Sequence, residues 1–460
     1  MPRKYDALVV GSGTAGQTAA FALNRQAISV ALVEHSDRPG GTCSLTGCQA
    51  KKWFYEGVET VARSRHLAGI GITTPAAASW RDLRDAKNRF TENVPSETVA
   101  GLKEAGIDFL EGRAVFRDAQ TMDVNGRSIS ARFIILATGA RPMELPMDGF
   151  KDVITSDAFM ELDRLPREII FIGGGFVSFE FAHFAVRLGP DQNRCTILES
   201  GPRVLGPFDE EMVDLLEDAS AADGIDVRSN AAVSSVEKKG RRFKVSTEDG
   251  QAFEADLVVH GAGRAPNLDD LALDRAEVEH SKGGIAVNRT MLTSNSHVYA
   301  VGDCAATVQL ARVADAEAHV AAADVLRRLE RDDASGYRAM DYDVVPSVLF
   351  TYPQYAMVGA TERELQEGNV AYRKSFGKQL SWPTYRRVGL KSAAFKLLSG
   401  EDGRLLGAHV ISDSATGLIH ACTLALMNRI PVADFYRQCI LTPYPSRESD
   451  ITRMLKPLIE

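Results

Sequence analysis

Cys43 and Cys48 stand with four residues between them in Gly40-Gly41-Thr42-Cys43-Ser44-Leu45-Thr46-Gly47-Cys48-Gln49-Ala50-Lys51-Lys52, which leads into a helical pattern. Two such cysteines are unrelated buried thiols, half of a metal site, or a redox dithiol. No second cysteine or histidine cluster lies nearby in sequence to complete a metal site. At a helix start, with two lysines close behind, a thiolate is favoured by the helix dipole and by positive charge. The residues therefore favour a redox dithiol. Cys195, Cys304, Cys422 and Cys439 read as packing thiols.

Two glycine turns flank this segment in sequence. Tyr5 to Val10 reads as a strand, Gly11-Ser12-Gly13-Thr14-Ala15-Gly16 as the turn, the alanine-rich run to Ala27 as a helix, and Ile28 to Val33 as the next strand, with Glu34 at its end. Gly11, Gly13 and Gly16 allow a tight turn and close approach to a pyrophosphate, the helix N-terminus attracts its charge, and Glu34 suits ribose hydroxyls. The grammar repeats at Glu168 to Ile172, Gly173-Gly174-Gly175-Phe176-Val177-Ser178, a helix to Leu188, and the strand Arg194 to Leu198 ending at Glu199. A carboxylate there accepts from a 2′-hydroxyl and repels a 2′-phosphate, which favours NADH over NADPH, although Arg203 lies four residues on. Strands ending in glycine turns, Phe133 to Thr138-Gly139 and Leu257 to Gly263, close each unit. The stretch from Ala231 to Phe253 reads as an antiparallel ribbon. From about Val344, strands (Val345 to Phe350, Ala394 to Leu398, Leu405 to Ile411) alternate with apolar-periodic helices such as Ala415 to Asn428.

The 460 residues suit about three domains. A formal charge of −8 argues against nucleic acid as the main partner. The start Met1-Pro2-Arg3-Lys4 imitates a signal peptide but runs at once into the glycine turn. No apolar run approaches the ~18 residues of a membrane helix, and Leu458-Ile459-Glu460 carries no lipidation signal. Six cysteines are too few for a secreted disulfide framework, so a cytoplasmic protein without membrane contact is expected.

The chain resembles the class I flavoprotein disulfide reductases, the family of dihydrolipoamide dehydrogenase, glutathione reductase and mercuric reductase. Gly-Gly-Thr-Cys, four residues, a second Cys, and a Lys four positions on match at Cys43, Cys48 and Lys52. Ala137-Thr138-Gly139, Gly263-Arg264-Ala265-Pro266-Asn267, Val301-Gly302-Asp303, Pro346 to Thr351 and Val358-Gly359 follow in the family's order. The resemblance implies an α/β fold with two Rossmann-like nucleotide-binding domains and a C-terminal α+β dimerisation domain. The segments expected are 1–148 and 268–340 for FAD, 149–267 for NAD(H), and 341–460 for dimerisation. Cofactor-binding residues would be Gly11, Gly13, Gly16, Glu34, Thr42, Thr138, Gly139, Gly302 and Asp303, with Gly173, Gly175, Glu199 and Gly263. Cys48 would be the thiolate facing the flavin and Cys43 the outer thiol that attacks a substrate. Glu180 would pair with Lys52 beside the flavin, keeping that lysine charged.

One segment departs from the pattern. Where the family carries His-Pro-Thr and a glutamate five residues after the histidine, this chain reads Tyr444-Pro445-Ser446-Arg447-Glu448-Ser449. Tyr444 thus takes the catalytic acid-base position, and a phenol with an unperturbed pKa near 10 is a poor proton shuttle at neutral pH. His420, on the Ala415 helix, is a substitute donor or an interface histidine. Mercuric reductases also place a tyrosine near this position, but they end in a cysteine pair and this chain does not. The leading expectation is a homodimeric, NADH-dependent FAD enzyme passing electrons through Cys43 and Cys48 to a small-molecule or protein disulfide, or a persulfide-like acceptor. A soft-metal or quinone reductase, and a redox sensor with little turnover, are the alternatives.

Overall fold

The computed structural model describes residues 3–190, 193–331 and 335–459, so Met1, Pro2 and Glu460 lie outside the described residues. The described chain forms two compact units. One comprises Met1–Trp53, Asp85–Met143 and Arg264–Tyr342, the other Phe54–Arg84, Glu144–Gly263 and Asp343–Glu460.

The first unit is built on the strand Arg3–Val10, whose residues Ala7 to Val10 are all buried. An unbroken apolar run suits a parallel strand covered on both faces. It pairs in parallel with Val30–Glu34 on one side and Arg127–Leu136 on the other, so the strand order reverses beside the Gly11 turn. Asp108–Glu111 extends the sheet beyond Val30–Glu34, while Thr121–Val124 and Ala114–Asp118 add antiparallel strands past Arg127–Leu136. Val298–Ala300 also joins Arg127–Leu136 in parallel. In open α/β sheets, ligands bind at the carboxyl ends of the strands where the order reverses. The helix after the turn spans Thr14–Asn24 and stops short of the expected Ala27. Ala27 has φ +53°, left-handed backbone that ends a helix, and the next strand begins at Val30 rather than Ile28.

The second unit holds a five-stranded parallel sheet in the order Ile225–Arg228, Arg194–Leu198, Glu168–Ile172, Leu257–His260, Ile154–Thr155. The helices Phe176–Leu188 and Glu210–Ala222 connect its strands, and Asp209 caps the latter by accepting from Met212 N. The expected ribbon is present as Val233–Lys239, Arg242–Thr247 and Ala252–Ala255. The C-terminal part is a five-stranded antiparallel sheet ordered Ser347–Leu349, Gln354–Gly359, Leu405–Ser412, Ala394–Gly400, Tyr372–Gly377, with the helices Ala415–Met427, Val432–Cys439 and Ile451–Ile459. The fold is thus mixed α/β, with two Rossmann-like sheets and a C-terminal α+β part. A buried ion cluster anchors that last sheet: Lys396 Nζ lies 2.7 Å from Asp209, 2.8 Å from Glu362 and 3.0 Å from Glu211. Among the described residues no helix is long and apolar enough to cross a membrane.

Candidate active site

Cys43 lies in the short helix Gly41–Leu45, and Cys48 opens the long helix Cys48–His66. Both are free thiols, Cys43 half-buried and Cys48 exposed, and they hydrogen-bond to each other. That bond pushes the Cys43 thiol far above its ordinary value, burial and the charge of Cys48 add to the effect, and a hydrogen bond from Thr14 opposes it. Of the two sulfurs, Cys43 is the one pushed toward its thiol form. Cys48, at a helix N-terminus with Lys52 one turn on, is the sulfur that the helix dipole favours as thiolate. Two adjacent sulfurs can accept two electrons on opening a disulfide and return them on closing it.

The Gly11 turn fits the adenosine and pyrophosphate end of a dinucleotide. Gly11 has φ +109°, and a Cβ there would stand 2.3 Å from Ala137 O; a Cβ on Gly16 would stand 1.9 Å from Gly11 O. Gly13 caps the helix Thr14–Asn24 without any side-chain bond, so its first-turn N–H groups point to the turn. Glu34 closes its strand, buried, with Oε2 accepting from Ser12 N at 2.9 Å and Ser12 Oγ at 2.7 Å, and Oε1 from His35 N and Ser36 N at 2.8 Å each. Of these four donors only the Ser12 hydroxyl rotates, so a ribose hydroxyl can replace it without breaking main-chain bonds. Beside Glu34 opens a cleft of about 990 Å³ lined by His35, Pro39, Val99, Gly112 and Arg113. Thr42 is exposed on the dithiol helix.

The other expected residues of this unit lie at the strand ends. The Thr138 hydroxyl donates to Asn267 O and Asn267 Nδ2 to Thr138 O, both at 2.9 Å, while Asn267 N reaches Gly139 O. Thr138 thus ties two chain segments together through its side chain. Gly302, at φ +69°, donates its N–H to Glu317 Oε2 at 2.6 Å. Burial pushes the Asp303 carboxyl up, against the pull of Arg264. Glu317 is not among the site residues expected from the sequence. It is completely buried, accepts from the Tyr342 hydroxyl at 2.7 Å, and is pushed up by burial. A carboxylate on the same helix face as Val313, Ala314 and Ala321 was the available signal.

In the second unit Gly173, at φ +97°, runs against Ala262, whose Cα a Cβ would meet at 2.4 Å, and Gly175 caps the helix Phe176–Leu188. Ser178, at the third-glycine position, is buried against Gly261. Glu199 is half-buried and accepts from Gly174 N at 2.6 Å, Gly201 N at 2.7 Å and Ser200 Oγ at 3.1 Å. Arg203 turns to Asp214 at 3.4 Å and Glu210 at 3.6 Å. Gly263 has φ +105°. Glu180 is buried and accepts from Phe350 N at 2.9 Å. Tyr444 is 78% exposed, and His420 is exposed on the helix Ala415–Met427. Cys195, Cys304, Cys422 and Cys439 are buried with thiols pushed up by burial, as packing residues should be. No group of three or more His, Cys, Asp or Glu side chains suited to a metal ion exists among the described residues.

Comparison with known proteins identifies the family. The family model for pyridine nucleotide-disulphide oxidoreductases matches residues 5–318, and that of their dimerisation domain matches 345–451. The chain is 32% identical to a glutathione reductase of Burkholderia cepacia, covering 94% of each chain. It is 30% identical to a mercuric reductase of Staphylococcus aureus, covering 94% of this chain and 78% of that one. Among solved structures, the HOCl-induced flavoprotein disulfide reductase RclA from Escherichia coli superposes with a TM-score of 0.87 at 22% identity, over 98% of this chain and 99% of that one. The chain belongs to the pyridine nucleotide-disulphide oxidoreductase family and is an NAD(P)H-dependent flavoprotein disulfide oxidoreductase.

Proposed function

We propose that the enzyme oxidises NADH in preference to NADPH and delivers the electrons through Cys43 and Cys48 to a disulfide or persulfide-like acceptor. The observation that carries this reading is the pair of free thiols, Cys43 in the short helix Gly41–Leu45 and Cys48 at the start of the long helix Cys48–His66. FAD, when bound, supplies the two-electron step between nicotinamide and sulfur. Gly11, Gly13, Gly16, Glu34, Thr42, Thr138, Gly139, Gly302 and Asp303 hold it, within an FAD-binding domain of residues 1–148 and 268–340. Cys48 keeps the negative charge, Cys43 forms and breaks the bond to the acceptor sulfur, and Lys52 with Glu180 as its partner holds positive charge near the flavin. Gly173, Gly175, Glu199 and Gly263 belong to the NAD(H) site in residues 149–267. The preference for NADH rests on Glu199, fixed by three donors, and on Arg203, occupied by two carboxylates.

Residues 341–460 form the dimerisation domain of a homodimer. Its exposed apolar side chains Leu424, Met427, Ile440 and Leu441 and the exposed Tyr444 suit burial against a second copy. Tyr444 takes the acid-base position. A cytoplasmic location agrees with the free thiols. A soft-metal ion as acceptor is the second reading, favoured by Tyr444 and by the likeness to mercuric reductases. Anaerobic titration with NADH tests the relay. The expected result is a long-wavelength thiolate-to-flavin absorption band that persists in Cys43→Ser and disappears in Cys48→Ser. A wild-type protein without that band refutes the relay, and a panel of disulfides, mercuric ion and quinones then ranks the acceptors.

A further inference from the structure

Ser12 stands second in the first glycine turn and is completely buried. Its hydroxyl donates to Glu34 Oε2 at 2.7 Å and accepts the Gly40 N–H at 3.0 Å. Its own N–H gives the same carboxylate oxygen a second bond, and its carbonyl takes Gln17 Nε2 at 2.8 Å. The helix carrying Cys43 begins one residue after Gly40. Gly41 there runs so close to the turn that a Cβ would stand 2.3 Å from Gly13 Cα. Gly40 and Gly41 have φ +128° and +74°, backbone that other residues adopt only under strain. Two contacts, Ser12 to Gly40 and Gly13 to Gly41, thus fasten the dithiol helix to the dinucleotide turn. Of the two, Ser12 supplies the one made by a side chain, and the same hydroxyl is the rotatable donor at Glu34.

We propose that Ser12 is a positioning residue joining the ribose-binding carboxylate to the dithiol helix, so that occupancy at Glu34 and the redox state of the Cys43–Cys48 pair bias each other. A ribose hydroxyl taking its place on Glu34 Oε2 turns the Ser12 hydroxyl and changes its hold on Gly40. Closing the disulfide draws Cys43 toward Cys48 and pulls on that hold from the other end. Such linkage is reciprocal: dinucleotide shifts the dithiol equilibrium by the factor by which the dithiol shifts dinucleotide affinity. The dinucleotide half rests on the FAD assignment proposed above, whereas the Ser12–Gly40 half does not.

The test uses the full chain, first stripped of flavin and equilibrated with glutathione. The Cys43–Cys48 disulfide and two glutathione thiols give the dithiol and one glutathione disulfide, moving two electrons and two protons, and alkylation followed by mass spectrometry reads the ratio. Ser12→Ala shifts the equilibrium constant by about fivefold or more, the low end of typical couplings; Ser12→Thr, which keeps the hydroxyl, stays near wild type. Ser12→Gly replaces Ser12→Ala if that chain does not fold. Adding FAD then moves the wild-type equilibrium by a factor that falls toward one in Ser12→Ala. An unchanged constant in flavin-free Ser12→Ala, or Ser12→Thr behaving like Ser12→Ala, overturns the proposal. Failure of every form to bind FAD instead refutes the FAD assignment, and the flavin-free comparison still decides the role of Ser12.

Discussion

Replacing Glu199 by glutamine measures what its charge contributes to the choice of nucleotide. The carboxylate ends the strand Arg194–Leu198 and is held by Gly174 N, Gly201 N and Ser200 Oγ. A 2′-phosphate carries −1.5 to −2 charges at neutral pH. At a separation of about 5 Å and an effective dielectric between that of bulk water and half of it, its repulsion from one carboxylate is about 1 to 3 kcal/mol. That corresponds to roughly 5- to 150-fold in affinity. NADH loses charge-assisted bonds from its hydroxyls, worth about 1 kcal/mol more than neutral ones, or roughly fivefold. The amide of glutamine also turns its NH2 against a main-chain N–H, a penalty common to both nucleotides. The expected outcome is an NADPH-to-NADH affinity ratio raised by about two orders of magnitude, read from the concentration dependence of flavin bleaching in stopped flow. The change shrinks as salt rises, because the groups are partly exposed. Arg203→Ala leaves the ratio near wild type, since that guanidinium faces Asp214 and Glu210. A Glu199→Gln protein whose ratio moves less than about threefold refutes the electrostatic argument, whatever its absolute rates.

Gly41→Ala forces a Cβ to within 2.3 Å of Gly13 Cα at φ +74°, with backbone on both sides, and should abolish flavin uptake on reconstitution. Gly69→Ala is its control: φ is +77° with nothing within 4 Å, so it costs only the left-handed strain of about 1 to 2 kcal/mol and retains flavin. His183 and His409 are completely buried and burial lowers both; His183 also has Arg187 at 2.8 Å. Their folded pKa values lie below the unfolded value near 6.5, so their contribution is present above pH 6.5 and is lost as pH falls from there toward the folded values. Urea unfolding should show stability falling as pH drops below 6.5, and His183→Gln should flatten part of that slope. Glu362, lowered to about 2 chiefly by its bond to Lys396 against an opposing burial cost, acts in a more acidic window: its contribution holds above about pH 4.5 and fades toward pH 2. A slope unchanged in His183→Gln rules out the histidine account.

The readable parts of this chain are those where a local demand admits few residue types. Gly11, Gly173 and Gly302 all have positive φ, and Gly11 and Gly173 also meet backbone where a Cβ would sit, so glycine at those places announces the turn. The Cys43–Cys48 spacing places one sulfur in a short helix and the next at the start of a long one, again within six residues. Boundaries were less legible: Ala27 takes a left-handed turn that alanine does not advertise. Least legible were polar side chains whose partners are far away in sequence. Ser12 meets Gly40 28 residues on, and Lys396 meets Asp209 across 187 residues, so neither could be told from an ordinary polar residue. An acceptor's leaving sulfur requires a proton. The departure at Tyr444 was visible from residue types alone, but the structure leaves its side chain exposed. What reading types could not supply is that the two thiols differ: the contact with Cys48 and burial push the Cys43 thiol up, with Thr14 opposing. Chemistry that one residue type performs alone is legible in a sequence; chemistry that depends on which of two like groups holds the charge is set by neighbours, and has to be read in three dimensions.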